Sequence, residues 1–282
     1  MKKTMILTAV AAAAIAISAQ AQTEMTLAGG TSYSLTSASA GSGTGAVSYQ
    51  WYRNGAAISG ATSASYTLPG YLAHGYRVEF KRGAKTSSCP DYTFSNAYIL
   101  TFYVQVGSVK WATTNLTGSN AWAERPDMYT SHYQWNKTTA MNPTGGTVSM
   151  PSADNSTTWT VNPCPSGWRI PTQAEYAALN AVGSTWAAAN AKGNAVVGRF
   201  YGANHANCNL TSSMLNCIFL PAGGYRNRET ATILNQGANG YYHSSTQYSN
   251  TSGYYLYLNS SSTNPSANSA GKADAFTIRC VQ

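Results

Sequence analysis

The chain has 282 residues, few of them charged (9%), with 17 basic against 9 acidic side chains and a formal net charge of +8. The basic residues are scattered, only Lys81 with Arg82 and Arg226 with Arg228 lying close together, so nothing in the composition suggests a nucleic-acid partner. Length alone suggests two domains, each large enough for its own core.

The first segment reads as a leader. Met1, Lys2 and Lys3 precede an apolar run over residues 5–17, and Ala19, Gln20 and Ala21 form a small-residue cleavage site before Gln22. The run is too short to anchor in a bilayer, which disfavours the alternative of a short membrane anchor, and no Cys follows the cleavage site to accept a lipid. Residues 1–21 are thus expected to be a signal peptide. Removing Lys2 and Lys3 leaves 15 basic against 9 acidic residues, a charge of +6. No later stretch is long and apolar enough to cross a membrane. The mature chain is expected to be secreted or held at the cell surface, without a membrane-spanning segment.

Residues 22–104 carry short alternating runs separated by turn residues. Val47 to Arg53 alternate, Asn54 and Gly55 supply a turn, and Ile58 and residues 64–68 continue beyond it. This pattern resembles a bacterial immunoglobulin-like β-sandwich. The resemblance implies that Trp51 is the buried Trp of the central strand, that Tyr76 is a tyrosine corner and that Val78 occupies the second Cys position. There is no Cys at Leu35 or Val78, so this core would be held by apolar packing alone. Residues 97–106, rich in Tyr, Ile, Leu, Phe and Val, would be the last strand, leading without a linker into a second domain over residues 105–282.

That second half begins with turns and loops in which Trp122, Tyr129, Tyr133, Trp135 and Trp159 are embedded among Asn, Thr, Ser, Gly and Pro. Aromatics in irregular backbone either build the core of a loop-rich domain or offer a sugar-stacking platform. Residues 164–179 follow. Gly167, Trp168 and Ile170 form a short extended piece and Pro171 stops it; Thr172 and Glu175 make a capping box that starts a helix with Tyr176 and Leu179 on one face. Three other phrases surround this stretch: residues 109–116 before it, and residues 219–226 and 240–246 after it. Residues 276–281 close the chain. In this order the set resembles the Fibrobacter succinogenes major paralogous domain family, found in surface and secreted proteins of Bacteroidetes and Fibrobacteres, and the resemblance covers roughly residues 106–282. Tyr133, Gln134 and Trp135 match a phrase of that family, whereas His243 stands where the family usually has Trp. The family is similar to the C-type-lectin-like fold and to the formylglycine-generating enzymes that modify sulfatases, which implies an α+β domain and leaves the chemistry open. The fold class expected is therefore a β-rich two-domain protein, an immunoglobulin-like β-sandwich followed by an α+β C-type-lectin-like domain.

There are five cysteines, and export favours disulfides with one thiol left over. The C-type-lectin-like resemblance implies a long bridge between Cys164 and Cys280, stabilising by about 4.7 kcal/mol in the chain-entropy picture; a short Cys208–Cys217 bridge would give about 2.7 kcal/mol. Cys89 is then the odd thiol, buried and inert, free, or joined to a partner. Catalytic and metal motifs are missing: there is no CxxC, HExxH or GxSxG, and His74, His132, His205 and His243 are dispersed. The sulfatase-modifying enzymes use two closely spaced cysteines near their C-terminal end, where this chain has only Cys280. Calcium-dependent lectins use an acidic or amide residue before Pro-Asn or Pro-Asp and a Trp-Asn-Asp phrase, and Asn264-Pro265 satisfies neither pattern. The carboxylates Asp154, Glu175, Glu229 and Asp274 are too far apart in sequence to suggest a glycosidase pair. No catalytic residue, metal ligand or cofactor is assigned.

The clearest functional signal lies near the end. Strand period puts Tyr254, Leu256 and Leu258 on one side and Tyr255, Tyr257 and Asn259 on the other, flanked by Tyr248, Asn250, Asn264 and Asn268 in Ser- and Asn-rich loops. Tyr with Asn and Ser combines rigid contact area with adaptable hydrogen bonding; the alternative is an edge strand in which Tyr is merely common. The segment also resembles the variable region of C-type-lectin-like proteins diversified by retroelements, through Asn264-Pro265 as a turn, residues 272–276 and residues 279–281. The function expected is a non-enzymatic binding protein or adhesin that holds a glycan or protein ligand at a surface through this face without metal. The alternative is a structural subunit of a surface or fimbria-like assembly, with self-association through the same strand.

Overall fold

A computed structural model describes residues 22–28, 33–36, 44–53, 55–68, 78–94, 97–118, 121–123, 125–210, 217–267 and 271–282. The expected leader, Asn54, Tyr76 and Asn268 lie outside the described residues.

The fold is β-rich, with one α-helix among the described residues. In the first half the strands Gln22–Ala28, Ala97–Val106, Val78–Thr86, Val47–Arg53 and Ala56–Ala57 lie side by side in that order, while Tyr33–Thr36 pairs separately with Ser65–Leu68. The first strand runs parallel to Ala97–Val106, from Gln22 opposite Ala97 to Ala28 opposite Tyr103. Trp51 explains how the two sheets meet. Its flanking residues in the strand are half-buried, its own ring is fully buried, and it packs 5.9 Å from Tyr66 of one sheet and 6.5 Å from Tyr98 of the other. Burying an indole leaves its N–H in need of an acceptor, and Nε1 donates to the Ser63 carbonyl at 3.0 Å. Gly55, at φ +81°, makes the tight return from Val47–Arg53 into Ala56–Ala57.

The strand Ala97–Val106 is shared between the halves. It turns at Gly107 into Val109–Ala112 as an antiparallel hairpin, Val106 opposite Val109 and Tyr103 opposite Ala112. Val104 and Val106 bury in the same cluster as Trp111, Tyr176, Leu179, Leu220, Leu256, Leu258 and Val281. Residues 104 and 105 lie inside one continuous strand, and Val104 and Val106 belong to this cluster.

That core is built around the helix Gln173–Ala181. The Thr172 hydroxyl accepts from the Glu175 N–H at 3.2 Å, and Glu175 Oε2 accepts from the Thr172 N–H at 2.8 Å, completing the capping box. Tyr176 and Leu179 bury one helix face. Before the helix, the extended piece is a single bridge from Arg169 to Val281 rather than a strand, although Trp168 and Ile170 are both buried. The chain terminus threads through this region: Ala112 N–H donates to Cys280, Leu116 N–H to Ile278 and Arg169 N–H to Val281. The Cys164–Cys280 bridge, with Cα atoms 6.1 Å apart, closes the same place, and Cys208 bonds to Cys217. Cys89 is half-buried and forms no disulfide. The Arg279 guanidinium is fully buried and donates to Asn115 Oδ1, the Ala112 carbonyl and the Phe219 carbonyl at 2.7–2.8 Å. One side chain thus ties residues 112–115 and Phe219 to the end of the chain.

The aromatics of the loop region build core. Trp135 packs tilted against Trp159 at 4.8 Å and Trp122 meets Trp168 edge-on at 5.3 Å, and buried Tyr133 donates its hydroxyl to the Gly118 carbonyl. Asn136, at φ +54°, holds these loops together: its Oδ1 accepts the Thr160 and Val161 N–H groups and its Nδ2 donates to Asp154 Oδ2. Asn tolerates this left-handed backbone better than most residues. Among the described residues no helix is long and apolar enough to cross a membrane.

Candidate functional site

The three-stranded antiparallel sheet Gly240–Gln247, Gly253–Leu258, Thr263–Ala267 carries the site. Period-two alternation gives it two faces. Tyr242, Leu256 and Leu258 turn into the main core, towards the helix. On the other face Tyr241 lies opposite Tyr257, and His243 opposite Tyr255.

This second face is closed at one end and open at the other. Trp135 covers Gly253 so closely that an added Cβ would sit 2.6 Å from its ring atom Cε3. Next comes His243, packed against Trp159 at 5.1 Å and Phe276 at 4.8 Å, with Nε2 donating to the Tyr133 carbonyl at 2.7 Å. Burial drives its pKa down to about 4, so the imidazole is neutral and fills an aromatic slot. Phe276 also stacks on Tyr241 at 5.5 Å and meets Tyr255 at 5.0 Å. Beyond Phe276 the cover ends, leaving a cavity of about 410 Å³ lined by Tyr225, Tyr241, Tyr255, Tyr257, Asn264, Ala267 and Asp274. That volume lies at the lower end of small-molecule clefts, roughly 300–1,000 Å³.

Its polar groups are oriented from behind. The Tyr241 hydroxyl accepts from Asn235 Nδ2 at 3.1 Å and Asn239 Nδ2 at 3.3 Å, and the Tyr257 hydroxyl accepts from Asn259 Nδ2 at 2.9 Å. Each phenol keeps its own O–H to donate. Asn264 Oδ1 accepts the Ser266 N–H at 2.9 Å, leaving Nδ2 to donate. Among the described residues of the lining, Asp274, 8% exposed, is the one acid and there is no Lys or Arg. Burial raises its pKa, against the Arg228 N–H that donates to Oδ1 at 2.9 Å and the more distant Arg228 charge.

Of the residues singled out in the sequence, the fold brings Tyr255, Tyr257 and Asn264 together at this cavity. Tyr255 is only 4% exposed, so it is more wall than contact. Asn259 stands behind Tyr257, with Oδ1 spent on the N–H groups of Ser261 and Ser262. Tyr248 lies elsewhere, packed on Tyr254 at 5.3 Å, and Asn250 sits in the far turn, where its carbonyl accepts from Lys272 Nζ. Asn264-Pro265 is part of an edge strand rather than a turn. Proline is tolerated there because an edge strand leaves some N–H groups without a ladder partner. Gly253–Leu258 is the central strand, so neither of its edges is free.

Tyr241, Tyr225 and Asp274 complete the site without having been singled out. Tyr241 was within reach, since pairing residues 240–247 with 253–258 as a hairpin sets it opposite Tyr257. Tyr225 and Asp274 arrive from short strands, Tyr225–Arg226 and Ala275–Phe276, whose pairing has no local sequence signal. Among the described residues no three His, Cys, Asp or Glu side chains converge as metal ligands would. Compared with known proteins, the chain matches no family model and no curated sequence.

Proposed function

We propose that this is an exported, non-enzymatic binding protein, an adhesin in which an immunoglobulin-like stalk carries a C-type-lectin-like head, and that it takes a glycan or protein ligand at the tyrosine-lined cavity. The observation that carries this reading is the cavity itself: four tyrosines, an amide and a carboxylate, with two phenols and the amide held from behind so that their remaining donors are available. Rigid rings held in place lose little entropy on binding, and oriented donors suit a hydroxyl-rich ligand. The parallel pairing of Gln22–Ala28 with Ala97–Val106 and the Trp51 bridge between two sheets support the stalk; the return of the terminus onto residues 110–116, closed by Cys164–Cys280, supports the head. A metal-free site predicts that binding to a glycan array is equal in calcium and in chelator. Binding that disappears in chelator refutes the metal-free site, and no binding on glycan or protein arrays refutes the adhesin.

The alternative, a subunit of a surface assembly, would have to use the edge strand Thr263–Ala267, where Pro265 removes one ladder donor. A concentration-dependent mass in solution would favour it.

A further inference from the structure

The charge of the cavity is opposite to that of the chain. Basic residues outnumber acidic ones 17 to 9, yet among the described residues the lining contains one carboxylate and no cationic side chain. Asp274 is more than nine-tenths buried, and its carboxylate accepts backbone N–H groups, Arg228 foremost, while the Arg228 guanidinium is half-exposed and lies near Glu229. The Arg228 charge acts on the Asp274 carboxylate only from beyond ion-pair distance; a buried carboxylate is costly without a close counter-charge, and a ligand cation in the cavity would supply one. Around it stand the rings of Tyr225, Tyr241 and Tyr257, whose π faces attract a cation. The donors on Tyr241, Tyr257 and Asn264 meanwhile call for acceptors such as sugar hydroxyls.

We infer that the ligand is an amino sugar with a free amine, its ammonium paired with Asp274 against the tyrosine rings and its hydroxyls accepting from Tyr257 and Asn264. This rests on the binding-protein reading above and narrows it to one ligand class. The observations favour an amino sugar over a lysine side chain because a lysine amine would leave the oriented phenol and amide donors without acceptors.

Titration of the mature protein with a glucosamine tetrasaccharide and with its fully N-acetylated counterpart tests the inference, since the two differ only in charge and acetyl groups. The expected result is binding of the free amine at least tenfold tighter, with that ratio falling towards one in Asp274→Asn, a variant whose Oδ1 still accepts the Arg228 N–H. The wild-type ratio is informative even if the variant fails to fold. Equal affinities, preference for the acetylated sugar, or no binding of either overturns the inference, as does a ratio unchanged in a folded Asp274→Asn. Selective binding of a lysine peptide over its acetyl-lysine form, without amino-sugar binding, also overturns it in favour of a protein ligand. Uncharged glycans that bind and compete at Tyr257 would sink the amine while leaving the adhesin intact; an array with no glycan or protein hits would sink both.

Discussion

Breaking the Cys164–Cys280 bridge should damage stability and the binding cavity together. The bridge spans 116 positions in sequence, so in the chain-entropy picture its loss frees the unfolded chain by about 4.7 kcal/mol. The Cys208–Cys217 bridge spans 9 positions and is worth about 2.7 kcal/mol on the same basis. Cys280 also lies just beyond Asp274 and Phe276, and it anchors the segment that brings them under the tyrosines. The assay is urea unfolding of Cys164→Ala/Cys280→Ala beside Cys208→Ala/Cys217→Ala, with ligand binding by each folded variant reporting on the cavity. The long-bridge variant should lose more stability than the short-bridge variant, by about 2 kcal/mol. A loss below about 1 kcal/mol, or a larger loss from the short bridge, would refute the argument.

Other consequences are equally specific. His132 and His243 are both buried and neutral, with pKa values lowered from 6.5 to about 4. A depressed histidine contributes stability above its unfolded pKa, and this is lost as pH falls through 6.5 towards 4, about 3 kcal/mol for each residue. Urea unfolding at pH 7, 6, 5 and 4 should show that slope, and a flat profile across the window would contradict it. Asp274 has the reverse sign: its folded pKa is raised, so stability present below the unfolded pKa is lost as pH rises through the folded value. Asp274→Asn should accordingly raise the urea midpoint at pH 7 more than at pH 4, and an equal change at both would rule out the burial penalty. Gly253→Ala drives a Cβ into Trp135, and overpacking of this kind costs about 1–3 kcal/mol. A melting temperature unchanged from wild type would show that Trp135 moves aside freely.

What the sequence discloses depends on how local each feature is. The capping box is visible because Thr172 and Glu175 are three residues apart and act on each other's backbone. The two faces of Gly253–Leu258 are visible because alternation is a property of the strand itself, and Leu256 and Leu258 do enter the core. Trp51 is visible for a similar reason, standing within an alternating run. The cavity is less legible. Tyr225 and Asp274 reach its lining from, or next to, two-residue strands that pair across long separations. Asn264-Pro265 misleads because the same dipeptide serves a turn or an edge strand, and only the neighbouring strand decides which. Tyr248 and Asn250 share the composition of the site, yet the turn at residues 248–252 carries them away from it. His243 fits an aromatic slot because burial keeps it neutral, a consequence of Trp159 and Phe276 that its own neighbours in sequence do not announce.

The central claim is that the ligand sits against Tyr257, on the face opposite the core. Tyr257 is half-exposed, so replacing it disturbs the fold less than replacing buried Tyr255, while exposed Tyr248 lies away from the cavity and serves as the control. The deciding measurement is array binding, in chelator, by the mature protein, by Tyr257→Ala and by Tyr248→Ala. The account predicts that Tyr257→Ala loses at least tenfold in affinity, more than 1.4 kcal/mol, while Tyr248→Ala binds as wild type does. Binding unchanged in Tyr257→Ala, or lost only in Tyr248→Ala, would place the ligand elsewhere and contradict the account.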